Sequence, residues 1–261
     1  MTDNKPQVPA ADQTLRMLTY LAHQPAPVPA ATMAHALGIP RSTVYHLLDA
    51  LAQHGYVVHV PAERRWGLGT AAFELSGGYS RQQPIARLGR RPVAALADRT
   101  GESAHLAIMS GGDVVYIVEE RAPRRPALVT EVGVRLPAHL TATGRAMLAA
   151  LPAAQMRALY PDATRLVTDR TGRGPRTRAA LREVLRRVRA DGYATEDGEV
   201  TLGLRSVGVA VLDHTGWPVA AVAVTWPTDP APGADPARPA ASLVPAVRAA
   251  AAELQRRLSG R

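Results

Sequence analysis

The chain has 261 residues, 46% of them hydrophobic but only 4% aromatic, and its formal net charge is +9 at pH 7. This length suits one large domain or two modest ones. The absence of cysteine excludes disulfides and thiolate chemistry. No apolar run reaches the roughly 20 residues of a membrane span, and the N-terminus lacks the pattern of a secretory signal. The sequence therefore predicts a cytoplasmic protein with no membrane partner.

The positive charge is unevenly distributed along the chain. Residues 1–80 hold five Lys or Arg and five Asp or Glu, so their net charge is zero and the excess lies in residues 81–261. A net positive charge suits a polyanionic partner, yet the bulk charge does not identify which part of the chain binds it. The part of the chain that binds such a partner has to be identified from the local arrangement of residues.

The first eighty residues predict a tail, three helices and a hairpin. Asp12 suits the cap of the first helix, the prolines of residues 24–29 prevent its continuation, and Gly38 and Pro40 suit a tight turn before the third helix. The expected elements are, in chain order, a disordered tail at residues 1–11, a helix from Asp12 to about His23 with Leu15, Leu18 and Leu21 on its apolar face, a helix over residues 30–37, a helix over residues 41–54, and strands beginning at Tyr56 and Trp66.

The third predicted helix has an apolar face and a polar face. Two short helices joined by a tight turn, the second with polar residues at its start, are the arrangement that places a helix in the major groove of DNA. Arginines at the tip of the hairpin behind it can reach phosphates or a narrow minor groove. The sequence thus predicts a winged helix-turn-helix over residues 12–72, with these residues in contact with DNA: Arg41, Ser42, Thr43, Tyr45, His46, Arg64 and Arg65.

Two plainer interpretations of this stretch stay open. Short helical pairs with a glycine turn also occur in three-helix packing units that bind no nucleic acid. Arg41, Arg64 and Arg65 are also consistent with ordinary solvated charges. The basic hairpin after the third helix favours DNA binding over the packing unit.

The remainder of the chain predicts a linker over residues 73–84 and a second domain over residues 85–258. Gly77 and Gly78 mark the linker, and helices and strands then follow in mixed order with two hairpins, which predicts an α+β domain with an antiparallel sheet covered by helices. The expected strands are Ala104–Met109, Val114–Glu120, Ala127–Val132, Tyr193–Glu196, Ser206–Leu212 and Val219–Trp226; the expected helices lie near residues 85–101, 144–151, 153–160 and 177–191, with a last one capped by Ser242.

Several short motifs occur together in a specific order. They are the run from Leu37 to Leu48, Gly55-Tyr56-Val57 and Trp66-Gly67-Leu68-Gly69, then the run from Gly133 to Ala146, Asp191-Gly192-Tyr193 and Gly203-Leu204-Arg205-Ser206. In this order and spacing they resemble the IclR family of bacterial transcription regulators, from about Asp12 to Leu258. The resemblance implies a winged helix-turn-helix, a linker helix and a GAF-like effector domain with a six-stranded antiparallel sheet.

The resemblance also implies how the protein works. It implies a homodimer or a dimer of dimers on a palindromic operator in double-stranded DNA, with a small organic acid as effector. Backbone N–H groups at a helix start favour such a carboxylate. Where the family has a hydroxyl or thiol, Ala223 offers a methyl group, which predicts a more apolar pocket. The implied effector-binding residues are Ala142, Thr143, Gly144, Glu196, Leu204, Ser206, Ala223 and Thr225.

Each of these pocket residues also has a plain structural interpretation. The threonines and Gly144 fit an ordinary helix start, the acidic residues 196–199 fit a solvated turn, and the strand hydroxyls can bond locally. His139 with that acidic turn is a remote candidate for a metal site, but no metal-ligand spacing supports it.

The sequence predicts no cofactor, metal or catalytic site. No G-x-S-x-G elbow is present to indicate a hydrolase, so the chain is not expected to be an enzyme. The alternative class is a sensory or enzymatic small-molecule-binding protein that uses its helix-turn-helix only for assembly.

Overall fold

A computed structural model describes residues 7–22, 24–75, 84–123, 125, 128–161, 166, 170–228 and 240–259. The chain divides between Gln82 and Gln83 into two compact units. Within the predicted linker, residues 73–75 are helical and residues 76–83 lie outside the described residues, as do residues 1–6 of the predicted tail.

The first unit consists of helices and a two-stranded hairpin that packs against them. Its centre is formed by fully buried side chains such as Met17, Met33 and Leu48. Trp66 joins this core, and its backbone pairs with that of Val28, which fixes the hairpin against the loop after the first helix. The elements are α1 (Pro9–Ala22), α2 (Ala30–Leu37), α3 (Arg41–Gln53), β1 (Val57–Val60), β2 (Arg65–Leu68) and a helix α4 over residues 70–75.

The turn between α2 and α3 forms as the sequence predicts. Gly38 adopts a left-handed φ of 65°, a conformation that glycine reaches at little cost. The N–H groups of Gly38 and Ile39 donate to the carbonyls of His35 and Ala34, and the carbonyl of Pro40 accepts from the N–H of Val44. The end of α2 and the start of α3 are thereby fixed to one another within one short turn.

The second unit alternates strands and helices. In chain order it contains α5 (Pro84–Thr100), β3 (Ser103–Ser110), β4 (Asp113–Glu120), β5 (Arg135–Pro137), a 3-10 turn (Ala138–Leu140), α6 (Ala142–Ala150), α7 (Ala153–Leu159), α8 (Arg178–Asp191), β6 (Ala194–Asp197), β7 (Leu204–Leu212), β8 (Pro218–Pro227) and α9 (Ala240–Leu258).

The six strands among the described residues of this unit form one antiparallel sheet in the order β5-β4-β3-β8-β7-β6. Because side chains alternate between the two faces of a strand, neighbouring residues enter different cores. Leu106 and Val222 pack under α5 and α9, whereas Ala107 and Ala221 lie in the core that contains α6 and α8. The predicted α+β class and the six-stranded antiparallel sheet are confirmed.

The first helix differs from its prediction in length and in its buried face. It starts at Pro9, not at Asp12, because proline suits the first turn of a helix, where its missing N–H is not needed. Residues 9–11 therefore belong to α1 and not to a tail. Leu15 is 65% exposed, and the buried positions are Met17 and Leu21, one helical turn apart.

Two further boundaries of the second unit are corrected. Residues 128–134 contain no strand; the sheet is entered at Arg135 instead, because Gly133 turns the chain with a φ of 90° just before it. Residue 127 lies outside the described residues. Ser242 does not cap the last helix, since α9 already includes Ala240, and alanine is the best helix former.

Candidate functional site

Helix α3 presents a polar face to solvent and an apolar face to the core. Val44 and Leu48 are fully buried, whereas half of the Tyr45 side chain is exposed. Five residues of α3 are predicted to contact DNA, and of these Thr43 is half-buried. The other four are exposed: Arg41, Ser42, Tyr45 and His46. A partner can therefore reach them without any change in the fold of this unit.

The hairpin turn gives its two arginines different surroundings. Arg64 lies exposed in the turn with a φ of 54°, which is uncommon for a residue other than glycine. Arg65 donates from Nη1 to the carbonyl of Pro27 at 3.1 Å, and its Nε lies 3.8 Å from a carboxylate oxygen of Glu63. Arg65 thus braces the hairpin against the loop before α2, while Arg64 extends from the turn.

The second unit contains a cleft between the sheet, the start of α6 and two loops. The loops are the stretch before β5 and the connection between β6 and β7. The cleft contains about 350 Å³ of empty space, part of it open to solvent. Five of the eight predicted effector residues line it: Ala142, Glu196, Leu204, Ser206 and Thr225.

Strand register brings the polar residues of this cleft together. Glu196 pairs with Ser206 across β6 and β7, and Ser206 pairs with Thr225 across β7 and β8. Directly paired residues point to the same face of a sheet. Ser206 Oγ donates to Glu196 Oε2 at 3.0 Å and lies 2.9 Å from Thr225 Oγ1, so Thr225 donates in turn to Ser206.

Glu196 is a buried carboxyl at the end of this chain of hydrogen bonds. Burial, reinforced by the nearby Glu199, raises its pKa from 4.5 to about 7, although the N–H of Val200 and the hydroxyl of Ser206 oppose the shift. A substantial fraction of Glu196 is therefore protonated near neutral pH. The interpretation of residues 196–199 as a solvated turn is wrong for this residue, which is 3% exposed.

The start of α6 packs tightly onto the sheet. Thr141 caps the helix, its Oγ1 accepting from the N–H of Gly144 at 2.9 Å. A β-carbon on Gly144 would lie 2.2 Å from the carbonyl oxygen of Ala138, and one on Gly208 would lie 3.1 Å from the amide nitrogen of Thr143. Both glycines therefore allow close approach of backbone segments, and the helix start is held directly over β7.

Three predicted effector residues lie beside the cleft and do not line it. Thr143 is 1% exposed and Ala223 is fully buried, while the N–H of Gly144 is already bonded to Thr141. These three residues are therefore neighbours of the lining residues and not part of the lining. The hydroxyl of Thr143 donates to that of Thr141 at 3.3 Å. Burial raises the pKa of the neighbouring Tyr116 far above its usual value, and the two threonine hydroxyls only partly oppose this shift.

The sequence motifs missed several lining residues. His105 on β3 and Tyr116 on β4 face the cleft with their rings edge to face at 5.1 Å, and Leu128 and Thr130 line it from the loop before β5. One signal was present in the sequence: His105 is the histidine of a strand otherwise made of small or aliphatic side chains. The loop residues carry no such signal, because a strand was expected there.

Arg145 connects α6 to the loop that carries the acidic residues. It is 4% exposed and donates to the carbonyls of His139 at 2.8 Å and Thr195 at 2.7 Å, and to Glu199 Oε1 at 2.8 Å. Glu199 in turn accepts from the N–H of Asp197. Through these bonds Arg145 positions the turn on which Glu196 is held.

Within the described part of the chain, no cluster of three or more His, Asp or Glu side chains is arranged to hold a metal ion. His139 instead packs its ring against Tyr160 at 6.1 Å. None of the described helices is both long enough and apolar enough to cross a bilayer.

Comparisons with known proteins agree with this architecture. Residues 10–61 match the profile of the IclR helix-turn-helix domain, and residues 78–256 match that of the C-terminal domain of the bacterial transcriptional regulator IclR. The chain is 30% identical over 251 residues to a glycerol operon regulatory protein of Streptomyces griseus, and this aligned region covers 96% of each of the two chains.

Solved structures share the fold. An IclR transcriptional regulator of Alicyclobacillus acidocaldarius superposes with a TM-score of 0.81 at 23% identity, covering 96% of this chain and 98% of that one. An IclR homologue of Microbacterium hydrocarbonoxydans, complexed with 4-hydroxybenzoate, gives a TM-score of 0.77 at 19% identity, covering 97% and 100%. With one matched profile over the helix-turn-helix and the other over almost the whole second unit, the chain belongs to the IclR family of bacterial transcriptional regulators.

Proposed function

We propose that this chain is a transcriptional regulator that binds a palindromic operator in double-stranded DNA as a homodimer or a dimer of dimers, and that a small organic acid in the cleft modulates this binding. The observation that carries the proposal is the exposed polar start of α3 behind the tight turn at Gly38. A helix presented in this way enters the major groove with its N-terminal residues toward the bases.

The polar residues of α3 have distinct roles in this proposal. Ser42, Thr43, Tyr45 and His46 contact base edges or phosphates, and Arg41 contacts phosphate. Arg64 and Arg65 of the wing also contact the DNA backbone. Phosphate contacts set position and salt dependence, whereas base contacts carry the sequence information.

The effector binds with its carboxylate toward the start of α6 in this proposal. The backbone amides of Ala142 and Thr143 and the helix dipole favour an anion there. Glu196, Ser206 and Thr225 then meet the polar atoms of the rest of the ligand, with Gly144, Leu204 and Ala223 completing the site. The complex of the Microbacterium homologue with a hydroxyaryl acid supports a carboxylate as the ligand class.

Ligand and operator are coupled through the connection between the units. The proposed boundaries are a winged helix-turn-helix over residues 12–72, a linker over residues 73–84 and an effector domain over residues 85–258. A ligand changes operator affinity only by preferring one arrangement of the paired DNA-binding domains, with a coupling free energy of about 1–3 kcal/mol. A protein with this role acts on chromosomal DNA in the cytoplasm and needs no catalytic site.

Fluorescence anisotropy on labelled duplexes tests the proposal. The wild-type protein is titrated against the region upstream of its own gene and against a scrambled duplex, at several salt concentrations. We expect preference for the upstream region, and we expect His46→Ala to reduce it about fivefold or more. His54→Ala is the matched control, since His54 is an exposed histidine that directly follows the other end of the same helix.

Two outcomes would contradict the proposal. Equal affinity of the wild-type protein for both duplexes at every salt concentration would favour the assembly role for the helix-turn-helix. Turnover of an organic acid by the purified protein would favour an enzyme.

A further inference from the structure

The sheet beneath the cleft carries a histidine, His105, beside Ala223, the residue for which the sequence predicts a more apolar pocket. His105 pairs with Ala223 across β3 and β8, and Ala223 pairs with Gly208 across β8 and β7. These three side-chain positions form one row on the cleft face of the sheet. The methyl group of Ala223 leaves room for the neighbouring imidazole, so His105 supplies a polar group that Ala223 does not.

Two polar atoms that line the cleft have no hydrogen-bond partner among the described residues. They are Nδ1 of His105 and Oγ1 of Thr130, on residues that are 2% and 6% exposed. Buried polar atoms in folded proteins nearly always have a partner. The edge-on contact of His105 with Tyr116 holds the imidazole in place without satisfying its nitrogen.

The chemistry of these two groups narrows what they can bind. Burial lowers the pKa of His105 to about 4, so the ring is neutral at pH 7 and its Nδ1 either donates or accepts one hydrogen bond, according to the tautomer. A threonine hydroxyl can both donate and accept. A ligand hydroxyl matches this pair, because it too donates and accepts, whereas a second carboxylate would be placed in a buried cleft that already contains Glu196.

We propose that His105 and Thr130 bind a hydroxyl group of the effector, so that the cleft selects a hydroxycarboxylic acid with an apolar body between its two polar ends. Gly208, over which the amide of Thr143 lies, is two strands from His105, which separates their backbones by about 10 Å. Leu128, Val200 and Leu204 line the cleft and suit the apolar body. This inference rests on the proposed function, because it takes the cleft as the effector site.

Calorimetric titration of the full-length protein with two matched pairs of acids tests the inference. The pairs are 4-hydroxybenzoate with benzoate, and 6-hydroxyhexanoate with hexanoate; 2-hydroxybenzoate tests the position of the hydroxyl. For at least one pair we expect the hydroxylated acid to bind about tenfold more tightly or better. We expect 2-hydroxybenzoate to gain nothing over benzoate.

Variants assign this preference to the two residues. His105→Phe keeps an aromatic ring against Tyr116 and is expected to bind both members of the pair with equal affinity. His139→Phe is the matched control, because His139 is a buried histidine with a similar ring contact that does not line the cleft. Thr130→Val changes only a hydroxyl into a methyl, and it provides a second test if His105→Phe does not fold.

The failures of the two proposals are distinguishable. A wild-type protein that binds both members of each pair equally, or a His105→Phe and Thr130→Val that both keep the full preference, overturns the role of the hydroxyl and leaves the effector site intact. A wild-type protein that binds none of these acids, and whose operator affinity no organic acid changes, overturns the proposed effector site together with this inference.

Discussion

The polar start of α3 and the polar cleft of the second unit are both candidate binding surfaces, yet their physical situations are opposite. The α3 residues are consecutive in sequence and exposed, so water satisfies their hydrogen bonds when no partner is bound. The cleft residues come from separate strands and loops and are buried, as Glu196, Ser206 and Thr225 show. Side chains of the first kind can be changed without leaving a buried polar group unpaired, whereas those of the second kind cannot.

This difference determines how each surface responds to mutation. A buried polar group without a partner costs about 1–3 kcal/mol, so changes in the cleft alter stability as well as binding. Changes on the polar face of α3 are expected to leave stability within about 0.5 kcal/mol. Two substitutions at the cleft test one side of this contrast, and a third, in the exposed turn of the wing, provides an exposed position for comparison. They are given from the largest expected effect to the smallest.

Gly144→Ala is expected to disrupt the cleft most strongly. Its β-carbon would lie 2.2 Å from the carbonyl oxygen and 2.4 Å from the α-carbon of Ala138, and backbone atoms cannot move aside as a flexible side chain does. We expect a loss of about 3 kcal/mol or more in the free energy of unfolding, measured by urea denaturation.

Gly112→Ala is the control for this substitution. The atom nearest to a β-carbon at Gly112 is the hydroxyl oxygen of Tyr160, at 3.8 Å, and its φ is not positive. We expect it to change stability by less than about 1 kcal/mol. Equal losses for the two variants would show that the close approach at Gly144 is relaxed in solution.

Glu196→Gln is expected to change how stability depends on pH. Burial raises the pKa of Glu196 from 4.5 to about 7, so between these values the folded protein binds more protons than the unfolded chain. Stability from this group is therefore fully present below pH 4.5 and is lost as the pH rises through 7. Between pH 5 and pH 8 the wild-type protein should lose about 2–3 kcal/mol more than the variant does, as measured by urea unfolding at each pH.

Glu183→Gln is the matched control for the direction of this effect. Hydrogen bonds from Arg186 and Arg187 lower the pKa of Glu183 to about 2, so its contribution to stability is present above pH 4.5 and is lost only as the pH falls toward 2. The variant should therefore follow the wild-type curve between pH 5 and pH 8. A Glu196→Gln curve parallel to that of the wild-type protein would show that Glu196 is ionised throughout this range.

How much the sequence predicts differs between the two surfaces for the same reason. The exposed face of α3 depends on helical periodicity and on one turn at Gly38, both of which are local, and its residues lie where they were expected. The cleft depends on strand register and on irregular loops. Glu196, Ser206 and Thr225 were identified through the family resemblance, whereas His105 and Thr130 were missed, because nothing local indicates that Ala223 pairs with His105.

Arg64→Gly has the smallest expected effect and separates stability from binding at one position. Arg64 has a φ of 54°, a conformation that costs a residue with a β-carbon about 1 kcal/mol and costs glycine little. Because glycine also makes the unfolded chain more flexible, the net gain in unfolding free energy should not exceed about 1 kcal/mol. If Arg64 contacts phosphate, the same substitution should weaken binding to operator and scrambled duplexes alike, and should reduce the slope of log affinity against log salt concentration by about one.

Arg65→Gly supplies the contrast that makes this prediction specific. It removes the hydrogen bond from Arg65 to the carbonyl of Pro27 and places glycine in a strand, so it should lower stability by about 1 kcal/mol. Both variants remove one positive charge from the wing, and only the Arg64 variant should bind DNA less well while unfolding at the same or a higher urea concentration. A change in operator preference with Arg64→Gly would instead show that the wing contacts bases, which would extend sequence recognition from the exposed face of α3 to the turn of the hairpin.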